Sequence, residues 1–238
     1  MEYAIIAAGE GSRLAREGVS LPKPLVSVAG EPLIDRLCRI FMLNDASRIH
    51  IITHNRLPEV QSHIKKLQQR YPIHHIVKNT PSSMHSFYEL AAGITAERFC
   101  LTTVDTIFDE NEFTDYIQKF QTGISADAYM AVTDFVDDEK PLYIETDDTL
   151  HIRAFCDEPT THSRYVSGGI YAFTQAVIPV LKHDIESGMS RMRNFQRSLL
   201  TAGLSVDAHP FSCIVDIDHA ADIAKAETFI LTHKRPLP

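Results

Sequence analysis

The 238 residues amount to roughly 1.6 average domains, so one large domain, or one domain with an insertion, is expected. With 44% hydrophobic and 23% charged residues, 10 Gly and 12 Pro, the chain is neither disordered nor collagen-like. Its 23 basic and 31 acidic side chains leave a net charge of −8, which excludes a general binder of nucleic acid or anionic membrane.

Residues 3–8 form an apolar run that reads as a strand and ends in Gly9-Glu10-Gly11. Leu33, Ile34, Leu37, Ile40 and Phe41 recur at helical spacing after Pro32. A second strand is predicted at 49–53, a helix from Pro58, a third strand at 73–77, a helix at 84–95 and a fourth strand at 99–104 that ends on Asp105. Phe113, Tyr116, Ile117 and Phe120 mark one more helix. This alternation predicts an α/β fold, Rossmann-like, with a mainly parallel central sheet flanked by helices. Beyond residue 125 the pattern changes to strands at 126–133, 142–146, 151–155 and 165–173, then helices at 175–187 and 189–202. A last helix carries Ile223, Ala226, Phe229 and Ile230, with Asp216 or Asp218 as its expected N-cap. We therefore expect one domain over 1–238, with a nucleotide-binding half at 1–125 and an acceptor-binding half at 126–238.

No apolar run approaches the ~20 residues of a membrane span, and Met1-Glu2-Tyr3 lacks the basic start of a signal peptide. Cys38, Cys100, Cys156 and Cys213 are widely spaced, so buried free thiols in a cytoplasmic setting are expected. The acidic stretch 134–139 reads as an exposed loop, and Arg191, Arg193 and Arg197 read as a solvated helix face.

The chemistry concentrates in Ala8-Gly9-Glu10-Gly11-Ser12-Arg13-Leu14 and in Leu21-Pro22-Lys23-Pro24-Leu25. A strand that opens into glycines exposes consecutive backbone N–H groups, which can cradle phosphate oxygens, and Arg13 and Lys23 bring two cations to the same mouth. A dinucleotide fingerprint is excluded, because Leu14 stands near its third Gly position and Pro22 and Pro24 interrupt any helix. The Gly-Lys-Ser/Thr of a nucleoside-triphosphatase loop is also missing.

Gly-x-Gly-x-Arg-Leu followed by Pro-Lys-Pro-Leu after an amino-terminal strand resembles the signature of the sugar-phosphate nucleotidylyltransferases. The resemblance runs along nearly the whole chain. Residues 82–86 resemble that family's loop over the base and α-phosphate, with Ser82 and Ser83 toward the nucleotide. Asp105 resembles its first metal aspartate. Ser167-Gly168-Gly169-Ile170-Tyr171 resembles the strand that faces the acceptor, and 215–219 the segment with the second metal aspartate, where Asp216 matches better than Asp218. The chain departs from the family at Asp157-Glu158-Pro159, where a Lys that meets the acceptor phosphate is commonly found after the Glu.

The resemblance implies transfer of a nucleotidyl group from a nucleoside triphosphate to a small phosphorylated acceptor, foremost a sugar-1-phosphate, on a fold of the nucleotide-diphospho-sugar transferase type. It implies that Arg13 and Lys23 are catalytic and that Ala8, Gly9, Gly11, Ser12, Ser82 and Ser83 bind nucleotide. It gives Glu158 and Gly169 to the acceptor, and Asp105 and Asp216 to a Mg²⁺ ion. No nucleic acid or membrane partner is implied, and the oligomeric state is left open. The missing Lys keeps a second acceptor class in play, phosphocholine or another phospho-alcohol. A nucleotide-sugar sensor without turnover is the third reading.

Overall fold

The computed structural model describes residues 1–9, 11–136 and 139–233; Glu10 of the glycine loop and Asp137 and Asp138 of the acidic stretch lie outside them. The first half comprises β1 (Glu2–Ala7), α1 (Ser12–Arg16), a 3₁₀ turn (Lys23–Leu25), β2 (Ser27–Val28), β3 (Glu31–Pro32), α2 (Leu33–Leu43), β4 (Arg48–Thr53), α3 (Pro58–Leu67), β5 (Ile73–Val77), α4 (Ser83–Ala91), β6 (Arg98–Thr103), β7 (Thr106–Phe108) and α5 (Glu110–Thr122). The second half comprises β8 (Ala128–Thr133), β9 (Tyr143–Thr146), β10 (Ile152–Cys156), β11 (Ser163–Thr174), α6 (Val177–Glu186), α7 (Met192–Thr201), β12 (Val206–Phe211), β13 (Ile214–Asp216) and α8 (Ala220–His233).

Among the described residues, nine strands form one sheet along the path β10-β9-β11-β6-β1-β4-β5, with β8 joined to β11 and β12 to β8. Pairing is parallel from β6 through β1 and β4 to β5. It turns antiparallel where β11 meets β6, β8 and β9. β1 is buried along its whole length, as a central strand covered on both faces must be. Tyr3 and Ile5 enter one core with α2, α3 and α5, while Ala4 and Ile6 enter a second with α4, α6 and α7. The period-two alternation of a strand thus assigns one short run to two helix layers.

Several expectations change. The helix expected at 84–95 stops at Ala91, because Gly93 passes against the His50 and His74 rings, where an added Cβ would come within 3.3 Å. β7, β12 and β13 were not read as separate strands. β12 holds Pro210 and pairs with β8; its other side carries an isolated bridge from Asp207 to His151 and the Ala208 N–H bond to the Leu150 carbonyl, and Pro210 lies beyond these, at the edge position where Pro is tolerated. All four cysteines are free, but only Cys38 and Cys100 are buried; Cys156 and Cys213 are half-exposed because they lie near strand ends. Among the described residues no helix is long and apolar enough to cross a membrane.

Candidate active site

From β1 the chain moves out to β4 and β5, then returns to the opposite side of β1 as β6. The strand order therefore reverses between β1 and β6, and open α/β sheets leave a crevice at the carboxyl ends flanking such a point. The glycine loop leaves β1 on one side of it, and the turn bearing Asp105 leaves β6 on the other. β13 adds a third wall by pairing with β7, which sets Asp216 opposite Thr106; Ile217 N–H donates to the Asp105 carbonyl at 3.1 Å.

Lys23 stands at the centre. Pro22 and Pro24 flank it and fix the 3₁₀ turn that carries it. Gly11 lies over this turn with φ +60°, and a Cβ there would come 3.1 Å from Lys23 Cβ, so both the backbone angle and the close approach call for glycine. The Lys23 ammonium donates to Asp105 Oδ2 at 2.5 Å and to Asp218 Oδ1 at 2.7 Å. Arg13 Nη1 donates to the other Asp218 oxygen at 3.0 Å. Four residues from three distant segments thus form one alternating chain of charge.

Burial alone would lower the Lys23 pKa, but the Asp105 charge and the hydrogen bonds to both carboxylates outweigh it and hold the ammonium above its ordinary range. For Asp218 burial would act upward, yet the Lys23 hydrogen bond and charge bring the carboxyl below its usual value. Asp216 moves the opposite way, raised by the protein packed around it and then by the facing Asp105 carboxylate. Its side chain still reaches solvent along the crevice, so that desolvation is partial and the upward direction owes much to like-charge repulsion.

Two cavities flank this cluster. The first, of about 390 Å³, is lined by Ala8, Gly9, Gly11, Lys23, Ser82, Ser83 and Asp105. Ser82 also caps α4, its hydroxyl accepting from the His85 N–H, so the positive end of that helix faces the cavity. The second, of about 270 Å³, is lined by Arg13, Lys225, Asp216, Asp218, Asp222, Glu139, Ser167, Gly168 and Phe135 among others.

Of the remaining residues singled out in the sequence, Ser12 lines neither cavity, and its hydroxyl accepts from Arg16. Glu158 is exposed and also lines neither. Gly169 has φ +72° beside the Thr103 and Thr106 hydroxyls, next to the cavity-lining Gly168.

Two expectations are corrected here. Neither Asp216 nor Asp218 is seen capping the last helix: Asp222 accepts from the Asp218 and His219 N–H groups, and Glu17 from that of Ala220, while Asp218 is taken up by Lys23 and Arg13. The arginines of α7 are not simply a solvated face. Arg193 and Arg197 both bind Asp157, at 2.7 and 2.9 Å. Sequence reading did not single out Lys225 or Gln196, and it read Glu139 only as part of the exposed acidic stretch 134–139, whereas it lines the second cavity.

The oxygen-only set of Asp105, Asp216 and Asp218 suits a hard divalent cation, and the Lys23 ammonium between Asp105 and Asp218 shows carboxylates converging on positive charge. Among the described residues no three His, Cys, Asp or Glu side chains are arranged to hold a metal by themselves. An ion here would draw its other oxygens from bound phosphate and water.

The crevice at the strand reversal, the glycine loop and the Lys–Asp cluster together form the candidate site. The chain belongs to the nucleotidyl transferase family, whose model matches residues 3–231. A putative mannose-1-phosphate guanyltransferase from Sulfolobus acidocaldarius is 22% identical over 240 residues, covering 98% of this chain and 64% of that protein, so the chain spans less than two thirds of its length. A 2-aminoethylphosphonate cytidylyltransferase from Lancefieldella rimae is 33% identical over 76 residues, 32% of this chain and 29% of that one. Two solved structures share the fold over 100% of this chain and 97% of their own. They are the inositol-1-phosphate CTP transferase from T. maritima (TM-score 0.81, 18% identity) and a putative glucose-1-phosphate thymidylyltransferase from Bacillus anthracis (TM-score 0.84, 19% identity).

Proposed function

We propose that this chain transfers a nucleoside monophosphate from a nucleoside triphosphate to a sugar-1-phosphate, giving a nucleoside-diphosphate sugar and pyrophosphate. An oxygen of the acceptor phosphate attacks the α-phosphorus; the bond from that phosphorus to the β-phosphate's bridging oxygen breaks, and its electron pair leaves with pyrophosphate. A phosphate monoester is largely a dianion at pH 7, its second pKa being about 6, so no general base is required. The barrier is the approach of one anion to another, and catalysis consists of positioning and charge neutralisation.

The observation that carries this reading is Lys23, held under Gly11 between Asp105, which lines the first cavity, and Asp218, which lines the second. In our assignment the first cavity takes the triphosphate, with the backbone of Ala8, Gly9 and Gly11 and the Ser82–Ser83 turn around it. Arg13 neutralises the departing pyrophosphate, and Lys23 meets the α-phosphate and the incoming oxygen. Asp105 with Asp216 or Asp218 would hold the divalent ion this family generally uses, Mg²⁺ by the oxygen chemistry, which when bound supplies positive charge to the phosphates. The second cavity, built by residues beyond 125 together with Arg13, takes the acceptor. Gly169 contributes backbone beside it, and Glu158, exposed and outside its lining, is assigned to the acceptor by the family resemblance alone. A cytoplasmic setting accords with the four free cysteines.

A second acceptor class is favoured by the 76-residue match to a 2-aminoethylphosphonate cytidylyltransferase, together with the Glu139, Asp216 and Asp222 carboxylates lining the second cavity. The test is pyrophosphate release from five nucleoside triphosphates, each combined with Mg²⁺ and a panel of sugar-1-phosphates, phospho-alcohols and 2-aminoethylphosphonate. Release that requires triphosphate, metal and one acceptor class together is expected. Ligand-induced stabilisation with no product from any pair would instead support a sensor.

A further inference from the structure

Ser167 stands in the wall of the second cavity at the point where β11 departs from regular pairing. It is registered with Val132 of β8, after which the register shifts before Tyr171 pairs with Met130. Bulges of this kind re-aim a side chain. The bend is enforced by packing: a Cβ on Gly168 would come 2.2 Å from Ile214 Cδ1 and 3.2 Å from the Ala131 carbonyl. The Ser167 N–H is also tied to the Leu142 carbonyl at 2.9 Å.

Behind Ser167 lies Gln196 of α7, only 2% exposed, whose Oε1 receives the Ser167 hydroxyl proton at 3.1 Å. A fully buried glutamine on a helix otherwise packed through Phe195 and Leu199 costs free energy unless it is used. The register of α7 is fixed from both sides. Arg193 binds Asp157 and the Lys140 carbonyl, the latter at 2.8 Å, and Arg197 binds Asp157 and the Phe155 carbonyl, the latter at 3.0 Å. Gln196 therefore cannot drift away from Ser167 without breaking several charge-assisted contacts.

A serine hydroxyl has one proton and two lone pairs. The Tyr171 hydroxyl is also hydrogen-bonded with Ser167. With the Ser167 proton committed to Gln196, that contact takes one lone pair and leaves the other for the cavity. We propose that Gln196 is a positioning residue that sets Ser167 as a hydrogen-bond acceptor for a donor group, hydroxyl or ammonium, on the organic portion of the phosphorylated acceptor. This rests on the assignment of the second cavity to the acceptor made above. Ser167 reads the substrate and Gln196 acts through it, so removing either loses the same hydrogen bond.

The experiment measures acceptor affinity calorimetrically in the wild type, Ser167→Ala, Gln196→Met and the double variant, with each nucleoside triphosphate present, and acceptor and triphosphate KM wherever turnover occurs. Probes are hexose 1-phosphates with their 2-, 3-, 4- and 6-deoxy forms, and phosphoethanolamine with phosphocholine, whose quaternary nitrogen has no N–H. Each single variant is expected to weaken the donor-bearing probe about 3- to 10-fold, to leave triphosphate KM and kcat within twofold, and to lose its effect on the probe lacking the donor. The double variant should be no worse than Ser167→Ala alone. Loss confined to a deoxy-sensitive sugar identifies a hydroxyl donor; loss with phosphoethanolamine but not phosphocholine identifies an ammonium. Additive losses, equal losses for triphosphate and acceptor, equal losses for probes with and without the donor, or an acceptor panel that fails to bind the wild type would each overturn the proposal. Binding of the panel without turnover would instead sink the transfer reading and leave this one standing.

Discussion

The two cavities linked by the Asp105–Lys23–Asp218 ion pairs are built differently. The first is lined mainly by short contiguous pieces, the turn after β1, the turn before α4 and the end of β6, and it presents N–H groups, hydroxyls and one helix amino terminus beside Lys23 and Asp105. The second is assembled from Thr133, Phe135, Glu139 and Pro141, the bulge of β11, β13 and the start of α8, and it presents carboxylates alongside Arg13 and Lys225. A polyanion held by backbone atoms needs a particular chain path more than particular side chains, and local sequence can encode a path. Recognition of the other substrate rests on side chains gathered from afar. Changes in the first cavity should therefore act on triphosphate alone, changes in the second on acceptor alone, and changes at the junction on both.

The largest effect is expected at the junction. Lys23→Ala should lower kcat by about 100-fold or more whichever substrate is varied, the loss typical of one preorganised charge partner. A loss confined to the KM of one substrate would separate the two cavities at the ion pairs that link them. Asp105→Asn should come next, with a loss of about 100-fold and a shifted divalent-metal requirement in a titration of activity against Mg²⁺. Full activity with unchanged metal dependence would remove Asp105 from the ion site.

Gly11→Ala sharpens the comparison from the nucleotide side. It places a Cβ 3.1 Å from that of Lys23 at a residue with φ +60°, so triphosphate KM should rise about 10-fold and thermal stability should fall, with acceptor KM less affected. The smallest change is expected from Glu158→Ala, a two- to threefold rise in acceptor KM and none for triphosphate, because the side chain is exposed and lines neither cavity. These small numbers follow from the low worth of exposed polar contacts. A loss as large as that of Ser167→Ala would move Glu158 into the wall.

The same contrast explains what the sequence disclosed. Gly9, Gly11, Pro22 and Pro24 act through backbone angles, which are local, and the cradle was legible from them. Pro58 at the first turn of α3 likewise declared its element. Asp218 was ranked below Asp216 on the family pattern, and its partnership with Lys23, which spans 195 residues, leaves no local trace. Gln196 sits between Arg193 and Arg197, so its surroundings read as a polar helix face until β10 and β11 are packed against it. β12 was lost to Pro210 and His209, tolerated there only because the strand lies at the sheet margin.

One consequence of the junction concerns the resting molecule. Before any substrate arrives, the Lys23 ammonium already serves as counter-ion to two of the three aspartates, and Arg13 shares the second of them. The ammonium has three donors and two are taken, so to meet more than one phosphate oxygen Lys23 must relinquish a carboxylate, which then wants a new positive companion. Nucleotide entry and the arrival of that companion are thus two halves of a single exchange of partners, and each should make the other easier.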